Sequence, residues 1–174
     1  VLLFFLVQAF EPLNWMIRNH PHEYVYFNPI VGGLPGAFKN FESDYWGNSL
    51  RQGAEWLAYY HLLHHPGKRA VVRAEGSPVS TYVYLKKRLG NLYFPYGYPP
   101  GFPDSQPDYF IHYRPLYLPE PEQKEDWDYA LALPGGWSSE VLLKKCPPPG
   151  TLYEIKADNI TLCAVVKNPH SELR

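Results

Sequence analysis

Nineteen prolines in 174 residues, about twice the usual share of roughly 5%, set the limits on what this chain can build. Each fixes φ and removes a backbone donor, so prolines mark the places where helices and central strands stop. Pro95, Pro99, Pro100, Pro103 and Pro107 crowd residues 95–107 together with Tyr96, Tyr98 and Phe102. A second Pro/Glu-rich stretch covers residues 115–126. Both read as loops. Pro147-Pro148-Pro149-Gly150 is a further break.

Between the breaks the periodicity alternates. Residues 24–27, YVYF, are a short β-prone run, followed by a glycine-rich turn over 31–36. A helix is expected over about Leu50 to His64, with Ser49 as N-cap and Gln52 at capping-box spacing. Leu50, Ala54, Leu57, Ala58, His61 and Leu62 share its apolar face, and Pro66-Gly67 stops it. Ala70 to Ala74 reads as a strand. A second helix opens at Ser77-Pro78, with Val79, Tyr82, Val83 and Leu89 on its apolar side. Leu92 to Phe94, Tyr109 to Tyr113 and Tyr129 to Leu133 read as strands, and Ser139 to Lys145 as a helix. Leu152 to Lys156 and Thr161 to Val166 make a hairpin around Ala157-Asp158-Asn159. The expectation is an α/β fold: a mixed sheet flanked by helices, ending in a C-terminal β-hairpin, with Pro/Tyr-rich loops.

The chain is about the size of one domain and long enough to fold without staples. Sixteen Lys+Arg balance 17 Asp+Glu, which argues against nucleic acid as a partner. A hydrophobic content of 45% against 19% charged excludes a disordered chain. Val1 to Phe10, VLLFFLVQAF, is almost wholly apolar, and Glu11-Pro12 ends the run. It is shorter than the about 20 residues a membrane span needs. The tail of a transmembrane helix and a buried core segment both fit it. A signal-peptide core fits poorly, lacking a basic region before it and a small-residue cleavage site after it. Trp15 and Arg18 follow as interfacial aromatics and cations do beyond a span. Residues 1–14 therefore read as the end of a transmembrane or apolar N-terminal helix, and 15–174 as a single soluble domain.

Several constellations have bland readings. His61, His64 and His65 have chelating spacing, but lie in a last helical turn where cations suit the dipole. Cys146 and Cys163 are compatible with a disulfide. The glycine turn lacks the Lys-Ser/Thr of a phosphate loop. Pro107-Asp108 with Glu154-Ile155-Lys156 is a short nuclease-like pattern on a chain without a cationic surface. Asn159-Ile160-Thr161 is a glycosylation sequon. No cofactor and no metal is implied.

The richest stretch is Phe41-Glu42-Ser43-Asp44-Tyr45-Trp46-Gly47. Carboxylates beside aromatic rings are the groups that recognise sugars, and equally those that start a helix and plug a core. Two segments together carry a resemblance. One is His20-Pro21-His22-Glu23-Tyr24-Val25-Tyr26-Phe27-Asn28 with Val31-Gly32-Gly33 and Gly36-Ala37. The other is Phe41-Glu42, Asp44-Tyr45-Trp46-Gly47, Ser49 and Glu55-Trp56-Leu57. They resemble the region after the last membrane span of bacterial polytopic glycosyltransferases of the dolichyl-phosphate-mannose-protein-mannosyltransferase-like, GT-C group. Tyr153-Glu154-Ile155, Asp158 to Leu162 and Val165-Val166 resemble that family's C-terminal end.

The resemblance implies a non-catalytic domain on the extracytoplasmic face of the cell membrane. Its partner would be the upstream transmembrane domain of the same chain, which uses a polyprenyl-phosphate sugar donor and carries the catalytic carboxylate. The domain would shape the acceptor side and meet glycan or lipid-linked sugar. The expected binding surface is Glu42, Asp44, Tyr45 and Trp46, positioned by Asn28 and the glycine turn. The Pro/Tyr loops match nothing in the family. A carbohydrate-binding or interaction module without activity is the alternative, and a soluble enzyme using Glu42, Asp44 or Glu55 as acid or base is a third.

Overall fold

A computed structural model describes residues 2–38, 40–41, 43–44, 47–68, 70–74, 81, 83–85, 87–89, 92–93, 127–134 and 147–171, with the backbone alone at 2–7 and 92–93. The expected strand at 109–113, the helix at 139–145, the Ser77 cap, Cys146 and both Pro/Tyr loops lie outside the described residues.

The fold is α/β, built among the described residues on a mixed five-stranded sheet. Its strands are β1 (Ala70–Ala74), β2 (Leu92–Tyr93), β3 (Tyr129–Ala132), β4 (Thr151–Ala157) and β5 (Ile160–Lys167), in the order β2-β1-β3-β5-β4. β1 runs parallel to β2 and β3, while β5 is antiparallel to β3 and β4. The β4–β5 hairpin turns on Asp158 and Asn159, with φ of 46° and 63°. That is the pair of left-handed residues a two-residue hairpin turn needs, and Asp and Asn tolerate it best after glycine.

Helix α3 (Ser49–His64) lies across the sheet. Leu50, Ala54, Leu57, Ala58 and His61 are buried, as their spacing requires. They meet Tyr129, Leu131 and Leu133 from β3 and its end, Ile155 from β4, and Cys163 and Val165 from β5. Leu62 does not belong to this face and is 49% exposed. At about 100° per residue it stands roughly a quarter-turn from the stripe centre. Alternate residues Ala130, Ala132, Ala164 and Val166 pack with Trp127 on the opposite face of the sheet. Thr81 and residues 83–85 are helical. Leu85 and Leu89 are buried, whereas Val83, expected on the apolar side, is 54% exposed.

α1 (Leu2–Asn19) continues through Glu11-Pro12 for two further turns. Trp15 is not an interfacial anchor. It is buried with Val25, Leu34, Ala157 and Leu162, and its indole N–H donates to Asp158 Oδ2 at 3.3 Å. Asn19 Oδ1 accepts the Asp158 amide at 2.6 Å, and the Tyr26 hydroxyl donates to Glu11 at 2.6 Å. The Trp15 and Asn19 contacts fasten the helix to the hairpin tip, and the Tyr26 contact ties it to the segment that follows it. The β-prone run at 24–27 forms no strand. Glu23–Val25 is a 3-10 turn following a cis His20–Pro21 bond, because Val25 and Tyr26 are drawn to α1 and the hairpin tip rather than to a sheet edge. The glycine stretch holds a second 3-10 turn, Pro29–Val31, and a short helix α2, Gly33–Ala37. No helix among the described residues is long and apolar enough to cross a membrane.

Candidate functional site

The first turn of α3 presents Asn48, Arg51, Gln52 and Glu55 on the side away from the core. Facing them are Pro21, His22 and Tyr24 from the segment after α1, and Tyr84 from the second helical region. Together with Gly47 they enclose a cleft of about 490 Å³. The 3-10 turn Glu23–Val25 brings His22 and Tyr24 over the helix start.

Beneath the cleft sits Asp44, 1% exposed. Its Oδ1 accepts the Asn48 amide at 2.9 Å, and its Oδ2 accepts the Ser49 amide at 3.1 Å and the Ser49 hydroxyl. Asp44, not Ser49, therefore closes the helix start. Ser49 spends its hydroxyl as a donor, and no side chain at Asn48 caps the helix. The carboxylate also suits the positive end of the helix dipole.

The residues above it form a chain. His22 Nδ1 lies 3.3 Å from the Tyr24 hydroxyl, and their rings meet edge to face. Burial pushes the Tyr24 phenol well above its ordinary range, and the charge of Asp44 and a hydrogen bond to it act the same way. Tyr24 thus remains a donor at neutral pH. Burial lowers His22, opposed by a hydrogen bond with Gln52 and the charges of Asp44 and Glu23. Both shifts keep neutral groups on this wall.

On the other wall Arg51 Nε lies 3.3 Å from Glu55, which Arg88 also reaches at 3.4 Å. The Arg51 guanidinium stands 5.8 Å from the Tyr84 ring centre. The cleft is therefore charge-balanced, with fork-like donors, amide groups and aromatic edges. Those are the groups that bind hydroxyl-rich ligands. Asp44 has both oxygens occupied, and Glu55 is held between two arginines, so neither is set up as an unencumbered acid or base.

Of the residues expected to form the site, Glu42, Tyr45 and Trp46 lie outside the described residues. Asp44 supports the cleft from below without lining it. Asn28 lies elsewhere: its side chain accepts the Ile30 amide at 2.8 Å and starts the turn at Pro29. His22, Tyr24, Arg51, Gln52 and Tyr84 were not singled out from the sequence as site residues. The signal for two of them was present, since Arg51 and Gln52 recur with Asn48 and Glu55 at three- and four-residue spacing opposite the apolar stripe.

At the other end of α3, His61 and His65 are buried and His64 is exposed. Among the described residues no group of three or more His, Cys, Asp or Glu side chains is arranged to hold a metal ion. No family model, curated protein or solved structure matches the chain.

Proposed function

We propose that this chain is a non-catalytic extracytoplasmic domain of a membrane glycosyltransferase using a polyprenyl-phosphate sugar donor, and that the cleft at the head of α3 receives part of the acceptor. One observation carries the reading. The two segments that resemble such enzymes run from His20 to Ala37 and from Phe41 to Leu57, and Pro21, His22 and Tyr24 from one and Gly47 and Glu55 from the other line the same cleft. The charge balance and side-chain set of that surface suit a neutral glycan.

The test uses membranes carrying the full-length protein. Transfer from a polyprenyl-phosphate sugar to glycan or peptide acceptors is the expected activity. Arg51→Ala should raise the KM for acceptor about fivefold to tenfold with kcat nearly unchanged, the cost of about one charge-assisted hydrogen bond. Absence of donor-dependent transfer overturns the glycosyltransferase reading. Transfer that is insensitive to Arg51→Ala overturns the role of the cleft.

The carbohydrate-binding alternative draws on the same cleft, since every side chain lining it belongs to this chain. Glycan binding by the isolated chain, lost in Arg51→Ala and present without donor activity, would favour it.

A further inference from the structure

The C-terminal end of α3 holds two imidazoles in an unusual state. His61 is 2% exposed and His65 8% exposed. His61 Nε2 faces the Lys68 carbonyl at 2.9 Å. A carbonyl only accepts, so the proton is on Nε2 and His61 Nδ1 bears the lone pair. That Nδ1, the Nδ1 of His65 and the hydroxyl of Tyr129 are buried without a hydrogen-bond partner. The rings are in contact: His61 lies 5.8 Å from Tyr129, edge to face, and 5.7 Å from His65.

The surroundings oppose a positive charge. From α3, Tyr60 packs 4.3 Å from His64 and 6.3 Å from Tyr129. From the following turn comes Lys68 and from β5 comes Lys167, and both disfavour an imidazolium at His65, as do His61 and His64. Burial disfavours it most. From β3 comes neutral Tyr129, held protonated by burial. The carboxylate just before that strand, Asp128, is already occupied by the Val71 amide at 2.8 Å and the Ser171 hydroxyl at 2.6 Å.

We infer that the last turn of α3 and the Lys68 turn form an acid-releasable clasp, closed on β3 and β5 while His65 is neutral and opened when it takes a proton. A proton on His65 leaves a buried donor at Nδ1, which has no hydrogen-bond partner, and a charge near Lys68 and Lys167. Opening the turn exposes the imidazole to water and relieves both. This inference does not depend on the function proposed for the cleft.

Amide hydrogen exchange on the whole chain tests it, compared at about pH 7.5 and about pH 5.5 after correction for intrinsic exchange. Residues 58–68 should lose about tenfold in protection relative to the β4–β5 hairpin, whose protection holds. In His65→Leu the loss should shrink below about twofold. In His64→Leu, where the replaced ring is exposed, it should persist. No acid effect, a uniform loss across the chain, or an effect abolished by His64→Leu overturns the clasp. If His65→Leu does not fold, imidazole titration of the unaltered protein decides. A midpoint for His65 clearly below about 6.5 supports the clasp, and one at or above it overturns the clasp.

Discussion

Asp44 shows what a single residue does here and why sequence misplaced it. Its carboxylate closes the start of α3, donates nothing to the cleft surface, and holds the floor on which His22 and Tyr24 rest. Asp44→Ala removes the acceptor for two amides and a buried hydroxyl. It should lower stability by about 2 kcal/mol or more. Asp44→Asn keeps one acceptor oxygen and should cost about 1 kcal/mol. Urea unfolding at pH 7 measures both. Equal losses would mean that charge, not acceptor count, is what the helix start requires. Ser49 offers the right spacing for a cap, immediately before the hydrophobic stripe that opens at Leu50, and nothing local betrays that a carboxylate five residues upstream takes its place. A cap is chosen by which side chain the preceding turn folds back, and that turn is tertiary information.

Elements in this fold are legible where one periodicity dominates. Asp158-Asn159 between two alternating runs specified the hairpin, and five of six apolar positions assigned to α3 are buried. YVYF at 24–27 forms no strand because β propensity reflects a half-buried pleated surface, and here Val25 and Tyr26 pack on α1 and the hairpin tip instead. The end of α1 failed for a related reason: Pro12 is accommodated within the helix, and Trp15 is used as a core residue. Trp15→Ala should therefore cost about 3 kcal/mol or more, and Trp15→Phe, which keeps a ring but loses the indole N–H, about 1 kcal/mol. Near-ultraviolet circular dichroism during denaturation would follow the junction. A Trp15→Ala chain as stable as its parent would show that α1 is not fastened to the hairpin. Gly36 is a second pin of the same unit: a Cβ there would stand 2.3 Å from the Val31 carbonyl oxygen. Gly36→Ala must shift backbone at the α2 start and should destabilise by about 2 kcal/mol, measurable in the same unfolding experiment.

At the scale of the molecule, the cleft and the clasp occupy opposite ends of one helix, and each holds an imidazole and a phenol that burial keeps neutral. His22 and Tyr24 are in contact at the head of α3, and at its foot His65 and Tyr129 both meet the ring of His61. The signs of these shifts set the pH profile of stability. Both histidines are lowered in the folded state, so the unfolded chain binds more protons as pH drops below the ordinary imidazole value of about 6.5. Stability present above that value is lost as pH falls toward the folded values. Both tyrosines are raised, so their contribution is complete below the ordinary phenol value of about 10 and is lost as pH climbs through the folded values. Stability should therefore be flat between about pH 7 and about pH 9.5 and fall on both sides, with each fully displaced group contributing a slope of up to about 1.4 kcal/mol per pH unit. Urea unfolding across this range measures the profile. His65→Leu should flatten the acid side, and Tyr24→Phe, which keeps the ring and removes the proton, should flatten the alkaline side. A profile whose two limbs respond to neither change would mean that the buried imidazoles and phenols do not govern the pH response, because carboxylates paired in the folded state impose an acid limb of the same sign but none on the alkaline side.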